Sequence, residues 1–381
     1  MNRVTFIFAG GGSGGHIFPG LAVAEQLSAI MGDRASFIFL TSQRPVDRAI
    51  MEKSPHRAVA LPAQPIGVRP RALLRFVRSW GPSVRATRKL IRECRAQGEV
   101  HLVAMGGFVA APAVQAARVE KINSTLVNLD AVPGKANRWM ARRVRTGGFT
   151  VVPSALFPNW TTIPPIVRSG ATSTLTPAQA RAALALDPAR PTLMITGGSQ
   201  GSSTINAFVL AFVQAHAEKL AGWQILHQCG QPKPGSTGPT IDQLRSAYAS
   251  ASIPARVEAL VQDMGTWWRS ADLAISNCGA GSVAEVWCNH TPALLLPYPF
   301  HKDEHQKHNA RVLVDAGACV LARDHIDAQA NLREVGPTLA ALLADPLKRE
   351  NLRQALAKLG PADGAQRLAR ALSANLAQKT P

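Results

Sequence analysis

From Val4 to Leu21 the chain reads Val-Thr-Phe-Ile-Phe-Ala-Gly-Gly-Gly-Ser-Gly-Gly-His-Ile-Phe-Pro-Gly-Leu, an apolar run, a glycine cluster and then a histidine. Strand, glycine turn and helix in that order aim free backbone N–H groups and a helix N-terminus at an anion. His16 sits at the mouth of the loop, where an imidazole can accept a proton near neutral pH. A second opening of this kind follows at mid-chain, where Pro191–Thr196 leads into Gly197-Gly198-Ser199-Gln200-Gly201. Its small residues suit the diphosphate and sugar of a nucleotide. A third, Ser276-Asn277-Cys278-Gly279-Ala280-Gly281-Ser282, precedes Glu285. A carboxylate in the first two turns of that helix can hold both hydroxyls of a ribose.

Alternatives stay open at this level. Gly10, Gly12 and Gly15 satisfy the dinucleotide fingerprint, but the next strand exits as Leu40-Thr41-Ser42-Gln43-Arg44, without the acid that would hold a ribose diol. A P-loop needs Gly-Lys-Ser/Thr where this loop ends in Gly15-His16-Ile17. His301, His305 and His308 share a helical spacing that could bind a metal, yet no Asp-x-Asp pair occurs to hold a diphosphate through a cation. No bound metal is therefore expected, and helix N-termini with a cation such as Arg168 would meet the charge on a departing diphosphate.

The elements that must carry these loops alternate throughout. Strand patterns at Val4–Phe8, Ser36–Leu40, Glu99–Met105, Ser124–Leu129 and Gly148–Val152 interleave with helix patterns at Pro19–Ile30, Arg71–Ala96, Ala110–Arg118 and Gly134–Arg143. The second half repeats this from Thr192 onward, with helix patterns at Leu332–Ala344, Leu347–Leu359 and Gly364–Gln378. Such alternation predicts an α/β chain of two parallel, Rossmann-like sheets, with ligands beyond the strand carboxyl ends. Domains are expected over 1–163 and 164–360, with 361–381 a helix packing back on the first.

The 381 residues, 46% hydrophobic and 17% charged, suffice for two cores. A net charge of +18 concentrates in Arg69–Arg95 and Arg138–Arg145. By charge alone this fits anionic lipid, diphosphates or nucleic acid. Five scattered cysteines without a C-x-x-C pair predict neither disulfides nor a zinc site. No apolar run reaches spanning length, and the N-terminus enters the glycine loop directly, so a cytoplasmic protein peripheral to a membrane is expected.

At these loops the sequence resembles the MurG family, peptidoglycan N-acetylglucosaminyltransferases of the two-domain GT-B class in glycosyltransferase family 28. The resemblance runs in order through Gly10–Ala22, Met105–Val109, Gly197–Gly201, Cys278–Glu285 and His301–Ala310. It implies two Rossmann-like domains facing a cleft and inverting transfer of N-acetylglucosamine from UDP-GlcNAc to the C4 hydroxyl of the muramyl sugar of lipid I, giving lipid II. It implies His16 as general base. The donor set it implies is Ser13, Gly14, Arg168, Ser199, Gln200, Gly201, Val261, Ala280, Gly281, Ser282, Glu285, His305 and Gln306. Within that set Glu285 takes the ribose, the backbone near Val261 the uracil edge, and His305 and Gln306 the GlcNAc hydroxyls. The acceptor set is Gly15, Gly106, Gly107, Asn128 and Asp130. Neither a cofactor nor a nucleic-acid partner is implied; the partners are UDP-GlcNAc, a polyprenyl-diphosphate-linked muramyl acceptor and the anionic inner leaflet. Leu73, Leu74, Phe76, Val77 and Trp80, interleaved with arginines, suit shallow insertion into that leaflet at the cytoplasmic face.

Three departures from the family pattern stand out. Val127-Asn128-Leu129-Asp130 replaces a typical His-Glu-Gln-Asn, the hinge before Arg168 is one residue longer, and His305-Gln306 replaces a Gln-Gln pair. A related UDP-sugar transferase with another acceptor, or a UDP-sugar-binding protein without catalysis, is the alternative.

Overall fold

The computed structural model describes residues 3–198, 201–231, 238–300 and 304–377, with side chains described as far as 374. The chain forms two compact units, Met1–Arg168 with Asp363–Pro381, and Ser169–Ala362. Pro164–Arg168 thus belong with the first unit, not with the second as the sequence suggested. The reason is local: Ile166 bridges to Asp363, and the Gly364 N–H donates to the Pro165 carbonyl.

In the first unit the strands are β1 (Val4–Ala9), β2 (Ala35–Ser42), β3 (Arg57–Leu61), β4 (Glu99–Ala104), β5 (Asn123–Asn128), β6 (Gly148–Thr150) and β7 (Thr161–Thr162). They form one parallel sheet in the order β3-β2-β1-β4-β5-β6-β7. Helices α1 (Gly14–Met31), α2 (Pro45–Met51), α3 (Pro70–Arg95), α4 (Gly107–Val119) and α5 (Lys135–Ala141) connect them. Every residue of β1 is buried, as a parallel strand covered on both faces requires. Ile7 and Ala9 pack with Leu90 and Ile91 of α3, Val109 and Val114 of α4, and Met140 of α5. Phe6 and Phe8 alternate with them and stack on Phe37 and Phe39 from the other side of the pleat.

The second unit carries β8 (Thr192–Thr196), β9 (Gln224–Gln228), β10 (Ala255–Glu258), β11 (Leu273–Ser276), β12 (Ala293–Leu295) and β13 (Val320–Leu321) in the parallel order β10-β9-β8-β11-β12-β13. Its helices are α6 (Pro177–Ala183), α7 (Ser203–His216), α8 (Ile241–Ser250), α9 (Met264–Ser270), α10 (Ala280–Asn289), α11 (His305–Asp315), α12 (Ala328–Glu334), α13 (Gly336–Ala344) and α14 (Pro346–Lys358). The chain then returns to the first unit as α15 (Gly364–Ala377), which packs along α1.

Local propensity misjudges three elements. Helix α1 starts at Gly14, ahead of the Pro19 expected to open it, because buried Ile17, Gly20, Val23 and Leu27 outweigh the two glycines and the proline. Strand β3 lies between the expected strand Ser36–Leu40 and the expected helix Arg71–Ala96, where the sequence pattern showed no element; only Leu61 of its residues is fully buried, so its alternation is faint. The expected helix over 332–344 is two, broken where Gly336-Pro337 opens α13.

The strand order reverses between β1 and β4 in one sheet and between β8 and β11 in the other. These are the points where a parallel sheet leaves a crevice beyond its strand ends. The loops that follow these four strands are the glycine clusters.

Candidate active site

In the first unit the loop after β1 is held from below by a residue the sequence did not single out. Asp47, fully buried on α2, accepts the Gly12 N–H with Oδ1 at 3.0 Å and Oδ2 at 2.7 Å. Its Oδ2 also accepts from the Ser42 N–H at 2.9 Å and the Ser42 hydroxyl at 2.6 Å. A Cβ on Gly11 would lie 2.5 Å from Asp47 Oδ2, so only glycine admits the carboxylate there. The Arg44 guanidinium donates to the Gly12 carbonyl and stacks over Phe108. Gly12 itself takes φ +89, with Phe108 so near that a Cβ would collide at 2.5 Å.

His16 meets the loop after β4. Gly106 and Gly107, at φ +102 and +79, lie against the imidazole; a Cβ on Gly107 would stand 2.9 Å from its Cδ2. The ring is half-buried, with Nδ1 shielded from solvent and without a hydrogen-bond partner in the protein. Burial lowers the His16 pKa below its ordinary 6.5, while Asp130, the Met105 backbone and Asp47 pull it back up. The imidazole is therefore neutral at pH 7 and able to accept a proton.

Asn128, placed by the sequence at the acceptor, is wholly buried. Its amide donates to the Asp130 carbonyl and the Thr150 hydroxyl, and its Oδ1 accepts from Asn137. Asn137 Oδ1 in turn lies 3.1 Å from where a Gly106 Cβ would be. Asn128 thus braces the His16–Gly106 contact instead of facing a ligand. Gly15 is exposed at the first turn of α1. Ser13 is the N-cap of α1 with its hydroxyl not used for capping, and neither α1 nor α4 has an acid in its first turn. The first-turn N–H groups of both helices thus have no side-chain cap. Of the expected donor set, Ser13, Gly14 and Arg168 lie in this unit, Arg168 with its guanidinium 4.2 Å over the Phe18 ring.

The second unit repeats the plan. Gly198 (φ +72) and Gly201 (φ +67) flank Ser199 and Gln200, two expected donor contacts that lie outside the described residues. Asn277 joins the two switch-point loops: its amide donates to the Gly197 carbonyl, and its Oδ1 accepts from the Ser282 hydroxyl and the Gly279 N–H. Helix α10 begins at Ala280 and Gly281 with neither a side-chain cap nor a first-turn acid. Gln306 Oε1 accepts the N–H groups of Cys278 and Tyr298, tying α11 to the loops after β11 and β12. His305 is half-buried beside it at the start of α11; His301 lies outside the described residues. Val261 is half-buried against the core of this unit, just before Asp263 caps α9. Among the described residues no three His, Cys, Asp or Glu side chains gather as metal ligands.

Glu285 is half-buried on α10, and its Oε2 accepts the Trp268 indole N–H at 2.9 Å. That bond orients the carboxylate. Glu285→Ala would strip the indole of its acceptor as well as remove the charge, whereas Glu285→Gln keeps an acceptor oxygen. If Glu285 holds the donor's ribose, as the family resemblance implies, the Gln variant is expected to raise KM for UDP-GlcNAc about tenfold, the weight of one charge-assisted hydrogen bond, with kcat nearly unchanged. Steady-state kinetics at varied donor checks this; an unchanged KM removes Glu285 from the ribose.

An open groove of about 710 Å³ between α7 and α8, lined by Leu210, Val213, Asp242 and Ser246, contains none of these loops and no convergent chemistry.

Two Rossmann-like parallel sheets, each with glycine loops at its switch point, define the GT-B fold. Residues 6–147 match the glycosyltransferase family 28 N-terminal domain and residues 192–368 the family's C-terminal domain. A relative from Acidithiobacillus ferrooxidans, named UDP-N-acetylglucosamine–N-acetylmuramyl-(pentapeptide) pyrophosphoryl-undecaprenol N-acetylglucosamine transferase, is 34% identical over 377 residues, 96% of each chain. One of the same name from Clavibacter michiganensis is 32% identical over 96% of this chain and 95% of its own. The crystal structure of Acinetobacter baumannii MurG superposes with a TM-score of 0.70 at 22% identity, over 98% of this chain and 99% of that one. This chain belongs to glycosyltransferase family 28.

Proposed function

We propose that this enzyme transfers N-acetylglucosamine from UDP-GlcNAc to the C4 hydroxyl of the muramyl sugar of lipid I, with inversion, in peptidoglycan synthesis. The observation that carries the reading is the set of glycine loops at both switch points, with His16 on one unit and Glu285 on the other, in a chain whose curated relatives bear the name of that reaction. The acceptor hydroxyl loses its proton to His16 as its oxygen attacks C1 of the sugar. The C1–O bond to the diphosphate breaks, and UDP departs carrying the electron pair. In the second unit, Ser199, Gln200, Gly201 and the N-terminus of α10 (Ala280, Gly281, Ser282) receive the diphosphate, Glu285 the ribose, the backbone near Val261 the uracil, and His305 and Gln306 the sugar. Arg168, Ser13 and Gly14 complete the donor set. In the first unit Gly15, Gly106, Gly107 and Asp130 face the acceptor. UDP release from UDP-GlcNAc, with and without a short-chain lipid I analogue in detergent, tests the reading. Analogue-dependent release with disaccharide formation supports it; donor binding without transfer points to a different acceptor, consistent with Val127–Asp130, or to lost catalysis.

The acceptor's lipid tail calls for a membrane-facing surface. Leu73, Leu74 and Val77 on α3 are about half exposed or more, and Ile66 and Val68 before the helix, missed in the sequence reading, extend the apolar patch. Arg69, Arg71, Arg75 and Arg78 are exposed around it. Phe76 and Trp80 are less exposed; their rings meet at a tilt, and Trp80 also meets Trp139 of α5 edge-on, so both serve more as the patch's footing. No described helix is long and apolar enough to cross a membrane, so attachment at the cytoplasmic face would be peripheral. Leu73→Glu with Val77→Glu is expected to weaken binding to vesicles containing anionic lipid at least tenfold, with UDP affinity unchanged. Vesicle co-sedimentation measures it, and equal binding by the variant removes the patch from the membrane.

A further inference from the structure

The glycine loop after β8 rests on buried side chains behind it. Gln228, the last residue of β9 and buried, accepts the Thr196 hydroxyl at Oε1 and donates from Nε2 to the Gly198 carbonyl at 3.1 Å. Thr196 Oγ1 in turn accepts the Gly198 N–H at 3.1 Å. Both polar groups of a glycine held at φ +72 are thus fixed from the core side. Beyond the loop, Gly201 sits so close to the chain leaving β9 that a Cβ would lie 2.3 Å from the Cys229 carbonyl oxygen.

That carbonyl has its own support. Asn206 of α7 donates from Nδ2 to it at 2.8 Å, while Asn206 Oδ1 faces His227 Nε2 at 3.1 Å. An amide oxygen can only accept, so Nε2 carries the proton, and Nδ1 must be the bare nitrogen that takes the Tyr248 hydroxyl at 2.8 Å. The donors run one way: Tyr248 to His227, His227 to Asn206, Asn206 to the Cys229 carbonyl. All three side chains are buried, and burial pushes the His227 pKa down to about 3, which keeps the ring neutral and the direction fixed.

We infer that Gln228 and the Tyr248–His227–Asn206 chain are positioning residues that fix Gly198 and Gly201, the two flanks of the glycine loop after β8, and so set donor affinity. A loop preorganised in this way does not pay to order itself on binding. The inference rests on the second unit being the sugar-nucleotide site, as proposed above.

Gln228→Glu is nearly isosteric but points an acceptor at the Gly198 carbonyl, and Asn206→Asp does the same to the Cys229 carbonyl. Calorimetric titration of each full-length variant with UDP, alongside thermal melting without ligand, tests the device. The expected result is a Kd for UDP at least tenfold weaker in each, and KM for UDP-GlcNAc raised in step, with kcat at saturating donor within about twofold of wild type. A purely packing role would lower the melting temperature and the active fraction but leave the Kd of the folded fraction unchanged, and that outcome overturns the inference. Should either substitution prevent folding, Tyr248→Phe, which removes only the first donor of the chain, is expected to weaken UDP two- to fivefold; an unchanged Kd there counts equally against it. Failure of the wild-type protein to bind UDP would instead strike the functional reading itself.

Discussion

His16→Ala is expected to lower kcat by about 10²–10⁴-fold, the range for losing a general base, while UDP affinity stays close to wild type. The ring has the attributes the role needs. It stands at the switch point of the first sheet, its place is cleared by the absence of Cβ atoms at Gly106 and Gly107, and burial holds it neutral. A base must be unprotonated, so the rate falls as pH drops through the His16 pKa. Because that pKa is shifted downward, the acid limb of kcat/KM is expected below pH 6.5, with a flat profile from there to pH 7.5. His16→Gln, which fills much of the same space without a titratable nitrogen, separates the two readings of the residue. If the Gln variant restores the rate, His16 acts by packing against the glycine loop; if it remains slow and the acid limb vanishes, His16 is the base.

Asp47→Ala is the substitution expected to disturb the first unit most. The carboxylate is fully buried, and two backbone N–H groups and one hydroxyl converge on it. Among the described residues no lysine or arginine forms a salt bridge with it, so this carboxylate is satisfied by hydrogen bonds alone. Truncation leaves the Gly12 and Ser42 N–H groups without partners, at about 1–3 kcal/mol each, so a loss of about 2–6 kcal/mol is expected. Differential scanning calorimetry should show a transition lowered by roughly 4–24 °C for a unit of this size. The loop should loosen as well, because Gly12 depends on the carboxylate for its N–H and on Arg44 for its carbonyl. Asp47→Asn keeps the shape but turns one acceptor into a donor that must face an N–H or the Ser42 hydroxyl. It is expected to fold with an intermediate loss. A melting temperature within 2 °C of wild type for the Ala variant would mean that the loop holds its form without its carboxylate.

Much of this architecture is readable from local pattern. Val4–Phe8 and Thr192–Thr196 declare themselves as buried parallel strands because continuous apolar runs ending in glycine have few other uses in a soluble fold. The glycine clusters declare the loops because positive φ and close approach leave a compositional mark, as Gly12, Gly106, Gly107, Gly198 and Gly201 confirm in their backbone angles. His16 and Glu285 are legible from their offset to those loops. Elements whose signal is spread or contradicted locally are harder. Strand β3 buries too little to alternate clearly, and α1 runs through a glycine pair and Pro19 because the burial of its apolar face outweighs their cost.

Composition and short-range pattern therefore determined the fold class, the strand–glycine–helix openings and the residues at their mouths, because backbone geometry is dictated by neighbours a few positions away. Tertiary structure alone decided what those loops lean on. Asp47 reaches Gly12 across 35 positions, Gln228 reaches Gly198 across 30, and Asn206 reaches the Cys229 carbonyl across 23. It also turned Asn128 from an expected ligand contact into a brace and placed Arg168 on Phe18 in the first unit. A lone polar residue in a strand or short helix carries no periodicity. Its partner is chosen by which strand ends the sheet order sets side by side, and the register that decides this exists only once both sheets have formed.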